Sequence, residues 1–238
     1  MCHLGQASGY SAKVFMPATA PDDRKAMMES MGAEVVKVPG SELLDAVARC
    51  IAEEGRVLVH PFDDVDIIRG HGSCGLEILE DVPDADVVVV CCGGGGLLAG
   101  VAAAVKLSGS KARVIGVEPD GANSMALSKA SGQAEWMPGG GKTDTIAHGL
   151  APPFAGRACF NHVDRFVDEV VTVTDDEMRH ATRALYKAGV VAEVSGAAAV
   201  AAVLAGKVEG KKVVCTVSGR NIDIEEYEHA LSDRPMAH

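Results

Sequence analysis

Four consecutive glycines, Gly93 to Gly96, follow the apolar run Val87-Val-Val-Val-Cys-Cys92 and lead directly into Leu97-Leu-Ala-Gly-Val101. A buried strand that enters glycines and then a helix lets successive backbone N–H groups converge on an anion, and the helix dipole adds to the attraction. A phosphate suits that environment; a tight strand–helix turn without a ligand does not need four glycines. Two nucleotide readings compete. Gly94-x-Gly96-x-x-Ala99 matches the dinucleotide fingerprint, and Glu118 ends the next strand at about the spacing of a ribose-binding carboxylate. Against it, Pro119 follows Glu118 and the motif lies mid-chain after three earlier units. Gly139-Gly-Gly-Lys142-Thr143 fails as a P-loop, because Trp136 stands where the leading glycine belongs. The seven cysteines (2, 50, 74, 91, 92, 159, 215) form no Cys-x-x-Cys pair. They read as reduced thiols used as small hydrophobes, with a cytoplasmic location expected. Cys91 and Cys92, adjacent on a predicted strand, should face opposite ways.

The elements that must carry this loop follow from pattern. Within 238 residues, 47% are apolar and 23% charged, an ordinary globular balance. The 22 basic and 33 acidic side chains give a net charge of −11, and there is no basic stripe, which argues against a nucleic-acid partner. No run of eighteen apolar residues spans a membrane, and Met1-Cys-His-Leu-Gly5 lacks the pattern of a secretory signal. Continuous Val/Ile runs predict buried parallel strands at 12–16, 34–38, 56–59, 87–91, 113–117, 169–173 and 212–217. Helices are predicted from Thr19–Asp22 toward Met31, from a Ser41 cap, and at 66–79, 97–106, 175–188 and 196–204, with a Thr174–Glu177 capping box. Alternating strand and helix define an α/β class with parallel sheets. The stretch 121–161, rich in Gly, Pro and Ser, reads as a loop-rich wrap near the site. A boundary near His60-Pro61 separates a partial small domain, 1–59, from a large domain, 60–238, that holds the glycine cup.

Seven further blocks occur in a fixed order. They are Met16-Pro-Ala-Thr-Ala-Pro21, Met31-Gly-Ala-Glu-Val-Val36, His60-Pro-Phe-Asp-Asp64, Gly70-His-Gly-Ser-Cys-Gly-Leu-Glu77, Val114-Ile-Gly-Val-Glu-Pro119, Thr145-Ile-Ala-His-Gly-Leu150 and Val217-Ser-Gly-Arg-Asn-Ile-Asp223. Together with the glycine cup, this series resembles the fold-type II pyridoxal-phosphate enzymes of the serine/threonine dehydratase and serine racemase family. The resemblance implies a tryptophan-synthase-β-like architecture of two parallel-sheet domains, a homodimer, and a small amino-acid substrate. By the same resemblance Gly93, Gly94, Gly95, Gly96 and Leu97 would hold the cofactor phosphate. Ser218 would hydrogen-bond the pyridine nitrogen, although a serine before Gly219 also suits a simple turn. Glu193 corresponds to a glutamate near the cofactor, with Val194 in place of the usual Pro; it also reads as a first-turn acid stabilised by a helix dipole. Glu118 and Ala122 match ligands of a Mg²⁺ or Ca²⁺ site whose partner carboxylate is here Ser124. His71, His148 and Arg220 depart from the family's Gln, Asp and Gly.

The family's Schiff-base lysine and substrate-carboxylate loop should precede the strand at 12–16. The expectation is therefore an N-terminally incomplete chain, inactive as written, of a lyase that converts L-serine or L-threonine to a 2-oxo acid and ammonia. A serine racemase and a non-catalytic phosphate-binding paralogue stand as alternatives, with an NAD enzyme third.

Overall fold

A computed structural model describes residues 2–20 and 22–232; Met1, Pro21 and residues 233–238, which the expected domains include, lie outside the described residues. The chain divides into two compact units, Met1–Val59 and His60–His238.

In the first unit, α1 (Cys2–Ser8), β1 (Lys13–Pro17), α2 (Asp22–Ser30), β2 (Glu34–Val38) and α3 (Leu43–Glu54) follow in order. β1 and β2 pair in parallel, with Lys13 opposite Glu34. The Lys13 ammonium lies 3.0 Å from Glu34 and 2.6 Å from Glu54, tying the sheet to α3. Ser41 does not cap α3. It sits inside a 3-10 turn, Gly40–Glu42, that delays the helix and makes Glu42 the cap residue. Residues 56–59 are not a strand: among the described residues no strand pairs with them, and Val57 is 89% exposed. Valines alone do not make a strand when no ladder is available to satisfy the backbone.

The second unit contains α4 (Val65–Asp81), β3 (Val87–Cys91), α5 (Gly96–Leu107), β4 (Arg113–Pro119), α6 (Ser124–Ser131), the single turn α7 (Pro138–Gly141), α8 (Arg157–Phe166), β5 (Glu169–Val173), α9 (Asp175–Lys187), α10 (Ala198–Leu204), β6 (Val213–Cys215) and α11 (Ile224–Leu231). Its strands lie in the order β5-β4-β3-β6, all parallel. Every residue of β3 is buried, as a Val run covered on both faces requires. One face packs Val87, Val89 and Cys91 against α9, α10 and α11; the other packs Val88, Val90 and Cys92 against α4, α5 and α8. Cys91 and Cys92 thus do point to opposite sides. The 121–161 stretch is more regular than its composition suggests, since it holds α6 and the start of α8. The short α6 has only a weak apolar stripe and leaves little periodicity to read, whereas α8 buries Cys159, Phe160 and Val163 on one face.

α4 and α5 approach closely through glycines. A Cβ on Gly100 would overlap the Ile68 carbonyl, and one on Gly75 would lie 2.8 Å from the Val101 carbonyl oxygen. Gly100→Ala is therefore expected to destabilise the protein by about 1–3 kcal/mol, the usual cost of overpacking. Urea unfolding of the variant and the parent protein measures it.

Candidate functional site

The strand order places the site. The chain steps from β3 to β4 to β5 in one direction, then returns across the sheet to lay β6 on the far side of β3. In an open parallel sheet, ligands bind at the carboxyl ends of the strands where the winding reverses. Here the two strands at that point are β3, which ends in the glycine loop, and β6, which is followed by Ser218.

The glycine loop leaves a row of donors unused. The backbone N–H groups from Gly93 to Leu97 make no hydrogen bond to any described residue, whereas Cys92 N–H is held by the Val117 carbonyl at 2.8 Å. Gly95, at φ 101°, occupies the left-handed region and lets α5 start at Gly96 with no side-chain cap. Buried backbone amides are very rarely left unpaired, so this row is built to receive acceptor oxygens. Its shape is held from behind. The Phe62 ring lies against Gly94 so closely that a Cβ there would overlap it, and Leu150 and Pro152 back Gly93. Phe62 is itself set edge-on to His60 at 4.7 Å and against Phe154 at 5.5 Å, and Phe154 stacks on Trp136 at 4.6 Å.

Neighbouring carboxylates fix the surrounding loops. Asp63 accepts from the N–H groups of Arg157, Ala158 and Cys159 at 2.8–3.2 Å, capping α8, and Gly156 N–H reaches the Gly94 carbonyl at 3.1 Å. Gly149 N–H donates to Ser195 Oγ at 2.9 Å, which anchors the Ala147–Leu150 turn beside the cup. Neither Phe62 nor Asp63 nor Ser195 is singled out for a role by the sequence; only the His60-Pro-Phe-Asp-Asp64 block hints at the first two.

Ser218, Glu193 and Gly219 come together at the other side. Glu193 N–H donates to the Gly219 carbonyl at 3.0 Å, and the Glu193 carboxylate fills the space a Gly219 side chain would need. Ser218 is exposed, and its Oγ accepts a hydrogen bond from the Cys91 thiol at 3.0 Å. Arg220 is exposed and makes no ion pair among the described residues. His148 is exposed on the turn that backs Gly93, and burial lowers the pKa of half-buried His71 on α4.

Glu118 has a different job from the one the resemblance suggests. It is fully buried at the end of β4, and its two oxygens accept from Met125 N–H at 2.9 Å and Ala126 N–H at 2.8 Å, so it caps α6 from a distance. A hard cation needs several free oxygen donors. Both Glu118 oxygens accept amide hydrogens, Ala122 is the residue expected to offer a backbone carbonyl, and no group of three or more His, Cys, Asp or Glu among the described residues could hold a metal. The expected cation site thus has one carboxylate, already accepting two amide hydrogens, and one backbone carbonyl, and the burial of Glu118 removes it as a ribose-binding carboxylate.

Comparison with known proteins accords with the glycine loop. Residues 2–219 match the family model "Pyridoxal-phosphate dependent enzyme". An L-threonine ammonia-lyase of Thermotoga maritima is 40% identical over 232 residues, covering 95% of this chain and 57% of that protein. The processed form of threonine deaminase isoform 2 from Solanum lycopersicum superposes with a TM-score of 0.88 at 31% identity, covering 96% of this chain and 68% of that one. Maize serine racemase superposes equally, TM-score 0.88 at 31% identity, over 97% and 72% of the two chains. The chain belongs to the fold-type II pyridoxal-phosphate enzymes, in the threonine dehydratase and serine racemase family. It spans a little over half the length of its Thermotoga relative. As in its family's α/β architecture, its sheets are parallel, and no helix among the described residues is long and apolar enough to cross a membrane.

The buried Glu118 gives this family member a distinctive pH dependence. Burial raises its pKa from 4.5 to about 8, against the pull of the two amide donors. The folded state therefore keeps a proton that the unfolded chain releases near its ordinary value. Stability held below about pH 4.5 is lost as the pH climbs toward 8, by on the order of a few kcal/mol in total. Urea unfolding between pH 5 and 8.5 should show that decline in the parent protein and a flatter profile in Glu118→Gln.

Proposed function

We propose that the protein is a pyridoxal-phosphate-dependent ammonia-lyase acting on L-threonine or L-serine, yielding a 2-oxo acid and ammonia by net loss of water and re-addition of water with release of nitrogen. One observation carries the reading: the unpaired amides of Gly93–Leu97 and the Ser218 hydroxyl flank the same reversal of strand order. The amides offer donors suited to a phosphate dianion, at the positive end of α5. The Ser218 hydroxyl offers one donor, suited to an unprotonated ring nitrogen. A carboxylate there would require that nitrogen to be protonated; a hydroxyl does not. Glu193 holds the Gly219 backbone and so keeps the Ser218 loop against α10's first turn, where a Gly196 side chain would also collide with Gly219. The cofactor, when bound, supplies an electron sink for the bonds around the amino acid's α-carbon. The residues of this chain bind and orient it, and Phe62, Leu150 and Pro152 wall the phosphate end.

The finer architecture belongs to the same proposal: a two-domain, tryptophan-synthase-β-like fold with residues 1–59 in the small domain, assembled as a homodimer. The similarity to maize serine racemase supports racemisation as a second reading. Protein purified from its natural source and supplied with pyridoxal phosphate is expected to form 2-oxobutanoate from L-threonine or pyruvate from L-serine. Absence of both overturns the lyase reading, and D-serine as the sole product by chiral chromatography replaces it with the second. Gly94→Ala should also weaken pyridoxal-phosphate binding roughly tenfold or more, the equivalent of about 1.4 kcal/mol, because the new methyl displaces Phe62 and with it the loop. Equilibrium dialysis reads that loss directly.

A further inference from the structure

Cys91 lies at the last position of β3, 3% exposed, in an apolar cluster that includes Val89, Val117, Leu150, Val194 and Ala197. A polar contact in such a setting stands out. Its thiol donates to Ser218 Oγ across the β3–β6 seam at 3.0 Å. Thr216, two residues earlier and 9% exposed, carries a buried Oγ1 with no hydrogen-bond partner, so the same seam holds an unsatisfied hydroxyl. Burial pushes the Cys91 thiol up, offset in part by the Ser218 hydroxyl, so at neutral pH the sulfur keeps its proton and acts as a donor.

A serine hydroxyl has one hydrogen to give and two lone pairs, and it rotates to suit its surroundings. A donor aimed at Oγ occupies one lone pair and turns the O–H away from itself. It also polarises that O–H into a stronger donor, since hydrogen bonds in a chain reinforce one another. We propose that Cys91 is a positioning residue for Ser218: its thiol fixes the serine as a donor toward the ring nitrogen of the cofactor and disfavours the opposite arrangement, in which a protonated nitrogen donates to the serine. The inference rests on the cofactor reading of the cup and adds to it a residue on the strand, outside the glycine loop.

The test compares the parent chain with Cys91→Val, which removes the donor and is one carbon larger, and Cys91→Ser, which restores a donor. Pyridoxal phosphate labelled with ¹⁵N in the ring is bound to each. The measured quantities are the dissociation constant by equilibrium dialysis and the ¹⁵N chemical shift of the bound cofactor. Cys91→Val is expected to weaken binding roughly two- to tenfold, the range for one lost hydrogen bond, and to move the ¹⁵N signal toward the protonated value. Cys91→Ser is expected to return both toward the parent, and far-UV circular dichroism with a thermal melt shows that all three chains are folded. A folded Cys91→Val with parent affinity and parent ¹⁵N shift overturns the proposal while leaving the cofactor reading intact. If Cys91→Val fails to fold, a parent-like ¹⁵N shift in the milder Cys91→Ala overturns it, and a shift toward the protonated value supports it. Failure of the parent chain to retain any pyridoxal phosphate overturns the cofactor reading itself, and this proposal with it.

Discussion

The position of β3 governs the rest of the second unit. With β4 along its whole length, β6 beside Val87–Val89 and helices over both faces, all its residues are buried and its side chains are apolar. The chain must then leave the sheet at Cys92 and start α5 at Gly96 within a few residues. That abrupt exit consumes no amides from Gly93 to Leu97, and the glycines permit it by giving Phe62, Leu150 and Pro152 room to press against the backbone. The anion site is thus a by-product of how a fully buried strand hands over to a helix.

A second theme is the use of carboxylates as remote caps. Asp63 covers the start of α8, Glu118 the start of α6, and Asp175 accepts from Thr145 Oγ1 at 2.6 Å and Ile146 N–H at 3.1 Å. Asp63 and Glu118 replace a local capping residue with one from outside the helix, and Asp175 ties residues 145 and 146 to the start of α9. Together they give the glycine- and proline-rich stretch from 121 to 161 its shape, and Gly121 is pressed against the Asp144 backbone for the same reason. Glu118 differs from the other two in being fully buried, which raises its pKa against the pull of the two amides it caps.

The β3–β6 seam links the strand to chemistry. Because β6 is parallel to β3 and adjacent to it, the ends of the two strands lie side by side, and a thiol on one meets a hydroxyl on the other. The contact joins residues 127 positions apart, so it exists only once the last strand has crossed the sheet. The glycine loop and Ser218 are accordingly brought together by one strand pair.

Much of the second unit was legible in the residues. The Val run of β3, the bounds of β2 and β5 and the Thr174–Glu177 capping box are local patterns, and the structure reproduces each of them. The glycine loop was also legible, since four glycines between a buried strand and a helix have few other uses. Where local signal was weak or ambiguous, reading failed: residues 56–59 look like a strand but find no ladder, Ser41 looks like a cap but falls inside a 3-10 turn, and α6 carries too little apolar periodicity to be seen. The contacts of Phe62, Asp63, Glu118 and Cys91 were invisible for a different reason. Periodicity and propensity report which groups want burial or a particular backbone shape, so they determined the class, the buried strand and the loop. Hydrogen bonds between distant residues depend on strand order and on which face each helix covers, and only the tertiary structure decided those.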